Sequence, residues 1–364
     1  MKKYVTLGEV CTKGSSSIAQ KDIEQNNGSY GIYGASGYIK DVDFYHQDKP
    51  YIAVVKDGAG IGRTMLLPEK TSVIGTMQYL IPNDDVCVEY LCYAVTYMNL
   101  AKYFSGATIP HIYFKDYQKE KLPLLTIEEQ RKIADNLRKI DRVIELCSGI
   151  LQKLDVLVKS RFVEMFGDTE VNSNNHPVHK LSDLCTVSSS KRIYQEEQSS
   201  SGVPFLRISN LVELIDNGKF GSDLFIPEEK YNELFTNGLV PKADDILVTS
   251  RGTLGKCYII QEHDKFYFQD GMISWLYDID KSITPLYLTL LFDTRDIKRQ
   301  IDNLQSGSTV AYLSIAMLKK LNIVVPPLAL QEQFAAFVEQ TDKSKFIAIN
   351  IKKIIRRVRL NDQF

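Results

Sequence analysis

The chain has 364 residues, of which 44% are hydrophobic and 24% charged, with a formal net charge of −1 and an isoelectric point of about 6.5. This length predicts two or more domains, and the composition is that of a globular rather than a disordered protein. The near-neutral charge argues against a simple, strongly basic nucleic-acid binder, and no segment approaches the roughly 20 apolar residues of a membrane-spanning helix.

The six cysteines do not form a recognisable site or framework. They lie at positions 11, 87, 92, 147, 185 and 257, with no Cys-x-x-Cys pair and no cluster of histidines beside them. This argues against a zinc site and against a disulfide framework. The opening MKKYVTLGEV lacks an apolar stretch of signal-peptide length, so we expect a soluble, cytoplasmic protein.

An internal duplication is the most informative feature of the sequence. Four blocks of the first half are LGEVC (7–11), YIAVVKDGAGIGR (51–63), SGATIPHI (105–112) and LPLLTIEEQ (122–130). Their counterparts, in the same order, are LSDLC (181–185), DILVTSRGTLGK (245–256), SGSTVAYL (306–313) and VPPLALQEQ (325–333). The offset of 174 to 203 residues far exceeds a solenoid repeat. We therefore predict two copies of one domain, each followed by a helix: domains at 1–126 and 169–328, helices at 127–168 and 329–364.

The glycine-rich GAGIG at 58–62 follows an apolar strand, as a phosphate-binding loop would. The residues after it, RTMLLPEK, contain a proline and are typical of another strand rather than of a helix. The second copy has GTLG without the full set of glycines. The pattern favours a β-hairpin turn over a dinucleotide site.

The first helix shows a heptad pattern. Thr126 is a plausible N-cap, and Gly167 stands where a C-cap is expected, which gives about 39 residues or roughly 58 Å. The spacing between successive apolar residues alternates between four and three, a pattern that requires a partner helix. These residues are Ile133, Leu137, Ile140, Ile144, Cys147, Leu151, Leu154 and Val158.

The second helix begins near Leu330, and its pattern is weaker. The predicted apolar seam is poor at Phe337, Gln340 and Ser344 and firmer at Ile347, Ile351, Ile354 and Val358. The basic run from Lys352 to Arg359 is interpreted as a solvated face or a contact to an acidic partner, with DNA phosphate as the alternative. Two such helices in one chain pair most simply with each other, antiparallel.

The order of these features resembles the specificity subunit of type I restriction-modification systems. The residues that carry the resemblance are YGASGYIKDVDFY (33–45), LPLLTIEEQRKIADNLRKID (122–141), MFGD (165–168), VPFLRISNL (203–211) and VPPLALQEQF (325–334). The resemblance covers essentially the whole chain, although the second helix is short and the net charge slightly acidic. It implies an α+β fold with two similar target-recognition domains, separated and joined by a long antiparallel helix pair with pseudo-two-fold symmetry.

The resemblance also implies how such a chain acts. Each domain would read one half of a bipartite, asymmetric target in double-stranded DNA, and the helices would set the spacer, which a ~58 Å helix limits to about 17 base pairs. Two modification subunits would dock on the helices and bring S-adenosylmethionine and the methyltransferase site. Restriction subunits are further candidate partners, and no cofactor is expected in this chain.

Catalytic motifs are missing from the sequence. It has no Asn/Asp-Pro-Pro-Tyr/Phe methyltransferase motif, no GxxxxGK(S/T) loop and no HExxH pattern. We therefore expect a non-catalytic subunit. Two hypotheses compete with DNA recognition: an enzyme with its own catalytic site, and a coiled-coil scaffold with two protein-binding heads, which the near-neutral charge favours slightly.

Phosphate contacts position a protein on DNA, and base-edge contacts specify the sequence. Side chains that make either contact should lie on loops at matching positions of the two copies, so these loops provide the candidates. The hairpin tips offer Lys56, Asp57 and Arg63 in the first copy and Ser250, Arg251, Thr253 and Lys256 in the second. Arg251 is the first choice for a bidentate contact to guanine O6 and N7. The aligned Arg63 and Lys256 are interpreted as phosphate clamps. The alternative is a solvated tip without a ligand.

Two further pairs of segments complete the candidates. In the first pair, Thr108 and His111 align with Thr309 and Tyr312, beside glycines that would permit a ligand to approach the backbone closely. The alternative to a DNA contact there is a turn before the last strand. The opening segments of the two copies differ more from each other, as expected if they read different bases. The candidates there are Ser36, Tyr38 and Lys40 in the first copy and Arg207, Ser209 and Asn210 in the second. Asparagine can read adenine N6 and N7, and the alternative here is an ordinary loop.

Overall fold

A computed structural model describes residues 3–106, 109–305 and 311–361. The chain divides into two compact units: unit 1 contains Met1–Ile150 and Ile347–Phe364, and unit 2 contains Leu151–Phe346. In the parts of the chain that the structure describes, no helix combines the length and apolar character that crossing a membrane requires.

Unit 1 is a mixture of short strands and helices. Its strands are β1 (Lys3–Thr6), β2 (Cys11–Ser15), β3 (Tyr30–Gly34), β4 (Gly37–Val42), β5 (Tyr51–Val55), β6 (Thr64–Leu67), β7 (Ser72–Val73), β8 (Met77–Pro82) and β9 (Lys121–Leu124). Its helices are α1 (Leu7–Val10), α2 (Val88–Tyr97), α3 (Phe114–Tyr117) and the first part of α4 (Ile127–Phe166), with 3-10 turns at Gln20–Ile23 and Leu100–Tyr103.

The central sheet of unit 1 has the antiparallel order β2-β8-β5-β6. A second sheet has the order β4-β3-β7, and β1 pairs with β9. Strand β5 lies inside the first sheet, and successive side chains of a strand point to opposite faces. Ile52 and Val54 therefore pack with α2 in one core cluster, while Tyr51, Ala53 and Val55 pack in the other. Burial on both faces explains why this strand is an unbroken apolar run.

Unit 2 repeats this architecture. Its strands are β10 (Val178–Lys180), β11 (Thr186–Ser188), β12 (Val203–Leu206), β13 (Phe225–Ile226), β14 (Ile246–Thr249), β15 (Cys257–Ile259), β16 (Tyr267–Phe268), β17 (Ile273–Tyr277) and β18 (Asn322–Val324). Its helices are α5 (Leu181–Leu184), α6 (Ile208–Asn217), α7 (Glu228–Thr236), α8 (Pro285–Leu291), α9 (Arg295–Leu304) and α10 (Ile315–Leu318), together with parts of α4 and of α11 (Leu328–Asn361); a 3-10 turn lies at Gln195–Glu197.

The sheets of unit 2 have the orders β11-β17-β14-β15, β13-β12-β16 and β10-β18, strand for strand those of unit 1. The parallel pairing of β3 with β7 recurs as β12 with β16. The units differ in one connection: a tight turn joins β3 to β4, whereas the equivalent connection from β12 to β13 contains α6. The prediction of an α+β fold with two similar domains and long helices is confirmed.

The cysteines of the first duplicated block occupy equivalent places. The thiols of Cys11 and Cys185 are buried and donate to the carbonyl oxygens of Leu7 and Leu181. Burial raises the pKa of each thiol to about 12, which keeps it protonated at neutral pH. Both are free thiols in the hydrophobic cores.

A buried glutamine attaches each long helix to its unit. The Gln130 side chain accepts from Cys87 N at 2.8 Å and donates to Leu125 O at 2.9 Å. Gln331 likewise accepts from Thr284 N at 2.8 Å and donates to Pro326 O at 2.8 Å. The sequence blocks pair Gln130 with Gln333, whereas these contacts make Gln331 its counterpart, so that block alignment is wrong by two residues.

The ends of the first long helix agree with the sequence. Thr126 and Glu129 form a capping box, with Glu129 N donating to Thr126 Oγ1 and the Glu129 carboxylate accepting from Thr126 N. Gly167 ends the helix at φ +77°, the left-handed conformation expected of a glycine cap. The predicted seam positions from Ile133 to Val158 are all buried or half-buried.

Side-chain contacts show how the two long helices pack. In unit 2, the ring of Phe162 lies 5.6 Å from that of Phe334, and Lys345 Nζ lies 2.8 Å from Asp155 Oδ1. Later residues of α4 thus meet earlier residues of α11, which makes the helices antiparallel there. In unit 1, Lys352 Nζ donates to Ser148 Oγ at 2.8 Å.

The predicted seam of the second helix is wrong. Ile347, Ile351 and Ile354 are 58%, 41% and 60% exposed, Gln340 and Ser344 are exposed, and the side chain of Val358 lies outside the described residues. The buried or half-buried heptad positions are Phe334, Val338, Thr341, Lys345, Ala348, Lys352 and Ile355. The actual seam is offset by one residue from the predicted one. The apolar pattern missed it, since two lysines and a threonine occupy seam positions, each with a polar partner.

Candidate nucleic-acid interface

Both predicted hairpin turns are present. Residues 56–63 join β5 to β6, and residues 250–256 join β14 to β15. Each turn closes through a glycine in the left-handed region: Gly62 N donates to Val55 O at 2.8 Å, and Gly255 N donates to Thr249 O at 2.9 Å. A Cβ at Gly62 would lie 2.5 Å from Ala101 N. GAGIG is therefore a hairpin turn that needs glycine for close packing.

Each hairpin tip is held by the segment that precedes the last strand. Ile112 N donates to Lys56 O at 2.9 Å, and Leu313 N donates to Ser250 O at 3.0 Å. The next residues on both sides form an isolated bridge, Asp57 with His111 and Arg251 with Tyr312. The fold therefore brings together the hairpin and small-polar candidates.

Unit 1 presents an acidic and an imidazole group at this place. Asp57 Oδ1 lies 2.7 Å from His111 Nδ1, and Asp57 Oδ2 lies 3.9 Å from Lys56 Nζ. Both members of the Asp57–His111 pair are partly exposed. They line an open cleft of about 530 Å³ whose rim also carries Lys13 and Lys115, two cations that the sequence reasoning missed.

Unit 2 presents a guanidinium group on an aromatic ring. The Arg251 guanidinium lies 5.0 Å from the centroid of the Tyr312 ring, within the range of a cation–π contact. Arg251 is exposed. Within residues 3–106, 109–305 and 311–361, its head group has no hydrogen bond or ion pair. Packing on a ring face steadies the guanidinium and leaves its N–H edge available.

The other basic candidates have polar partners. Arg63 Nη1 donates to Ala35 O at 2.9 Å, Lys256 Nζ lies 2.6 Å from Asp216 Oδ1, and Lys40 Nζ donates to Glu24 O and Asn27 Oδ1. Arg207 Nη2 contacts both carboxylate oxygens of Asp223, at 3.0 and 2.9 Å. A phosphate contact by any of these four would compete with a contact inside the protein.

The remaining candidates fall into four groups. Ser250 is 1% exposed and its Oγ lies 2.8 Å from Ser274 Oγ, so its side chain forms a hydrogen bond inside the protein. Asn210 caps the start of α6 by accepting from Arg207 N at 3.0 Å. Exposed side chains are found at Ser36, Tyr38, Ser209 and Thr253. Thr108 and Thr309 lie outside the described residues, and the DNA contacts of all these candidates stay predictions.

Metal ligation has no candidate among the residues described: no three His, Cys, Asp or Glu side chains are grouped there as ligands. The polar features of the two hairpin regions are instead hydrogen-bond donors and acceptors at the surface. Such groups are suited to reading a polar surface and to contacting phosphate.

Comparisons with known proteins cover both units. Residues 2–156 and 174–357 each match the model of the type I restriction modification DNA specificity domain. A Haemophilus influenzae protein assigned as a type I restriction enzyme specificity subunit is 24% identical over 330 residues, which are 86% of this chain and 80% of that protein.

Two solved structures share the fold. The type I restriction-modification S subunit from M. genitalium is 16% identical with a TM-score of 0.62, over 99% of this chain and 94% of that one. A chain from a study of complex assembly and conformational transition in the type I restriction-modification system is 14% identical with a TM-score of 0.59, over 98% and 95% of the two chains.

Proposed function

Since this chain belongs to the type I restriction modification DNA specificity family and so serves DNA sequence recognition, we propose that each unit reads one half of a bipartite, asymmetric target. One observation carries the proposal. The two units repeat the same sheets, yet at the same place one presents Asp57 with His111 and the other Arg251 with Tyr312. Equivalent reading surfaces with different chemistry are what an asymmetric target requires.

The second part of the proposal is that modification subunits dock on the long helices, and that these helices set the spacing of the half-sites. In unit 1, both helices leave apolar side chains exposed: Leu146 and Ile150 on α4, and Ile347, Ile351 and Ile354 on α11. Exposed apolar patches on a protein surface commonly mark interaction sites. The chain shares its fold with a structure from a study of complex assembly in the type I restriction-modification system, which agrees with a role in assembly.

Methyl transfer would then belong to the modification subunits, which would bind S-adenosylmethionine, and this chain would contribute binding and orientation only. The absence of a methyltransferase motif from the whole sequence supports this division. Methyl transfer to DNA by the purified chain alone would contradict it.

The test of bipartite reading is an exchange of one recognition domain. In a host that carries the complete system, residues 5–120 are replaced by the equivalent segment of another member of the family, and methylated positions are mapped by sequencing. We expect one half of the target to change while the other half stays the same. An unchanged target would contradict the proposal.

A protein-binding scaffold is the competing function, and the net charge of −1 is the observation that favours it. A gel-shift experiment with the purified modification subunit separates the two. A recognition subunit gives sequence-dependent, salt-sensitive retention of DNA, whereas a scaffold gives no dependence on DNA sequence.

A further inference from the structure

Asp57 and Arg251 occupy the same place in the two units. Both stand second in the hairpin turn, directly before a glycine with positive φ, Gly58 at +92° and Gly252 at +67°. Both form an isolated bridge to the segment just before a short helix, α3 in unit 1 and α10 in unit 2. The fold therefore presents one position twice, with a carboxylate in unit 1 and a guanidinium in unit 2.

Unit 2 singles out Arg251 among its candidate cations. Lys256 and Arg207 are engaged by Asp216 and Asp223, whereas the Arg251 guanidinium has only the Tyr312 ring as a partner among the described residues. A guanidinium steadied over a ring face can still offer two parallel N–H groups to a ligand. Guanine O6 and N7 in the major groove accept such a pair.

Unit 1 offers the opposite hydrogen-bond polarity. An ionised carboxylate only accepts, and in the major groove the cytosine N4 amino group is a donor that aspartate can read. A lone carboxylate would be repelled by the phosphates. Here Lys56 lies 3.9 Å from Asp57, and Lys13 and Lys115 line the same cleft, so the local charge stays positive.

We propose that this repeated position is a base-reading position in both units: Arg251, steadied by Tyr312, reads guanine in one half of the target, and Asp57, steadied by His111, reads cytosine in the other. The inference rests on the proposed function. To that function the inference adds the residue pair in each unit that sets the preference for one base in its half of the target.

The test is a reciprocal exchange of the two pairs, made in the full chain with its complete system. One variant carries Asp57→Arg and His111→Tyr, and the other carries Arg251→Asp and Tyr312→His. Methylated sites are mapped by sequencing, and methylation rates are measured on DNA duplexes that differ at single positions. Each variant should lose at least about tenfold in rate on the original target, the size expected for one base contact.

The changed preference should be confined to one base pair in one half, with the other half and the spacer unchanged. Arg251→Lys refines the test, because lysine retains the charge but not the planar, two-pronged donor. It should relax discrimination at that base pair. Lys281→Ala, an exposed cation far along the chain from the hairpin, should leave the target and rates unchanged. Thermal unfolding and co-purification with the modification subunit establish that each variant folds.

Two outcomes would overturn the inference while leaving bipartite reading intact. One is an unchanged target in the pair exchanges when the exchange of residues 5–120 does change one half. The other is an equal loss of rate on all duplexes, which would indicate a phosphate or folding role. If neither the pairs nor the whole domain alter the target, the proposed function itself fails.

Discussion

At the residue scale, Gln130 and Gln331 link each long helix to the unit it leaves. Each side chain is almost fully buried and satisfies backbone groups of two separate segments. Buried backbone groups that lose their partners cost more than the net value of an ordinary hydrogen bond, about 1–3 kcal/mol each. The glutamines therefore fix where the helix begins relative to the strand before it.

We expect Gln130→Ala and Gln331→Ala each to lower the free energy of unfolding by at least about 1–3 kcal/mol, because several backbone N–H and C=O groups are left unpaired. Chemical denaturation of each variant measures the change. Gln333→Ala is the matched control, since Gln333 is exposed on the same turn of α11 and its removal should cost less than about 0.5 kcal/mol. Equal effects at Gln331 and Gln333 would contradict this role.

The candidate cations show how far residue-level prediction reached. Lysine and arginine at hairpin tips are recognisable in a sequence, and the hairpins are where the sequence places them. Their acidic partners are not recognisable: Asp216 lies 40 residues from Lys256, and Asp223 lies 16 residues from Arg207. Only the folded chain distinguishes Arg251, whose guanidinium has no acidic partner among the described residues, from Lys256 and Arg207, which do.

At the element scale, helix α11 carries two parallel heptad stripes, and the sequence suggested the wrong one as the seam. The isoleucine stripe of Ile347, Ile351 and Ile354 is the more apolar, yet it is exposed, while Ala348, Lys352 and Ile355 are buried or half-buried. Small residues and the aliphatic stems of lysines pack well against a neighbouring helix. The exposed stripe is thereby free to contact a partner.

We expect the double variant Ile351→Lys and Ile354→Lys to weaken association with the modification subunit by at least about tenfold, because charges would be placed in an apolar contact. The helix itself should persist, since both side chains are exposed in this chain. Size-exclusion chromatography of the mixture and circular dichroism measure the two effects. Gln340→Lys adds a charge at an exposed polar position of α11 and should bind normally; unimpaired binding by the double variant would contradict docking at this stripe.

At the scale of the whole molecule, charge limits what the chain does alone. A net charge of −1 gives little long-range attraction to DNA, so we expect phosphate contacts from a partner to supply much of the affinity. The logarithm of the binding constant falls with the logarithm of salt by about 0.9 per neutralised phosphate. We expect the complex with modification subunits to neutralise more phosphates than this chain alone.

We therefore expect the isolated chain to bind its target duplex more weakly than the complex does, and with a shallower dependence on salt. Fluorescence anisotropy at several salt concentrations between about 50 and 200 mM measures both quantities, with a scrambled duplex as the control. Equal affinity and equal salt slopes for the chain and the complex would show that partners add no phosphate contacts.

The sequence alone determined the hairpins and the capped ends of the first long helix, because each depends on patterns within a few neighbouring residues. It also showed the duplication, through matching blocks in the two halves of the chain, and its resemblance to a known family implied the α+β class. Tertiary structure decided the seam of α11, the pairing of Gln130 with Gln331, the buried place of Ser250 and the equivalence of Asp57 with Arg251. These depend on residues far apart in the chain, such as Lys352 and Ser148. Which polar side chain finds a partner is settled only when the fold brings the two together, and no local pattern records it.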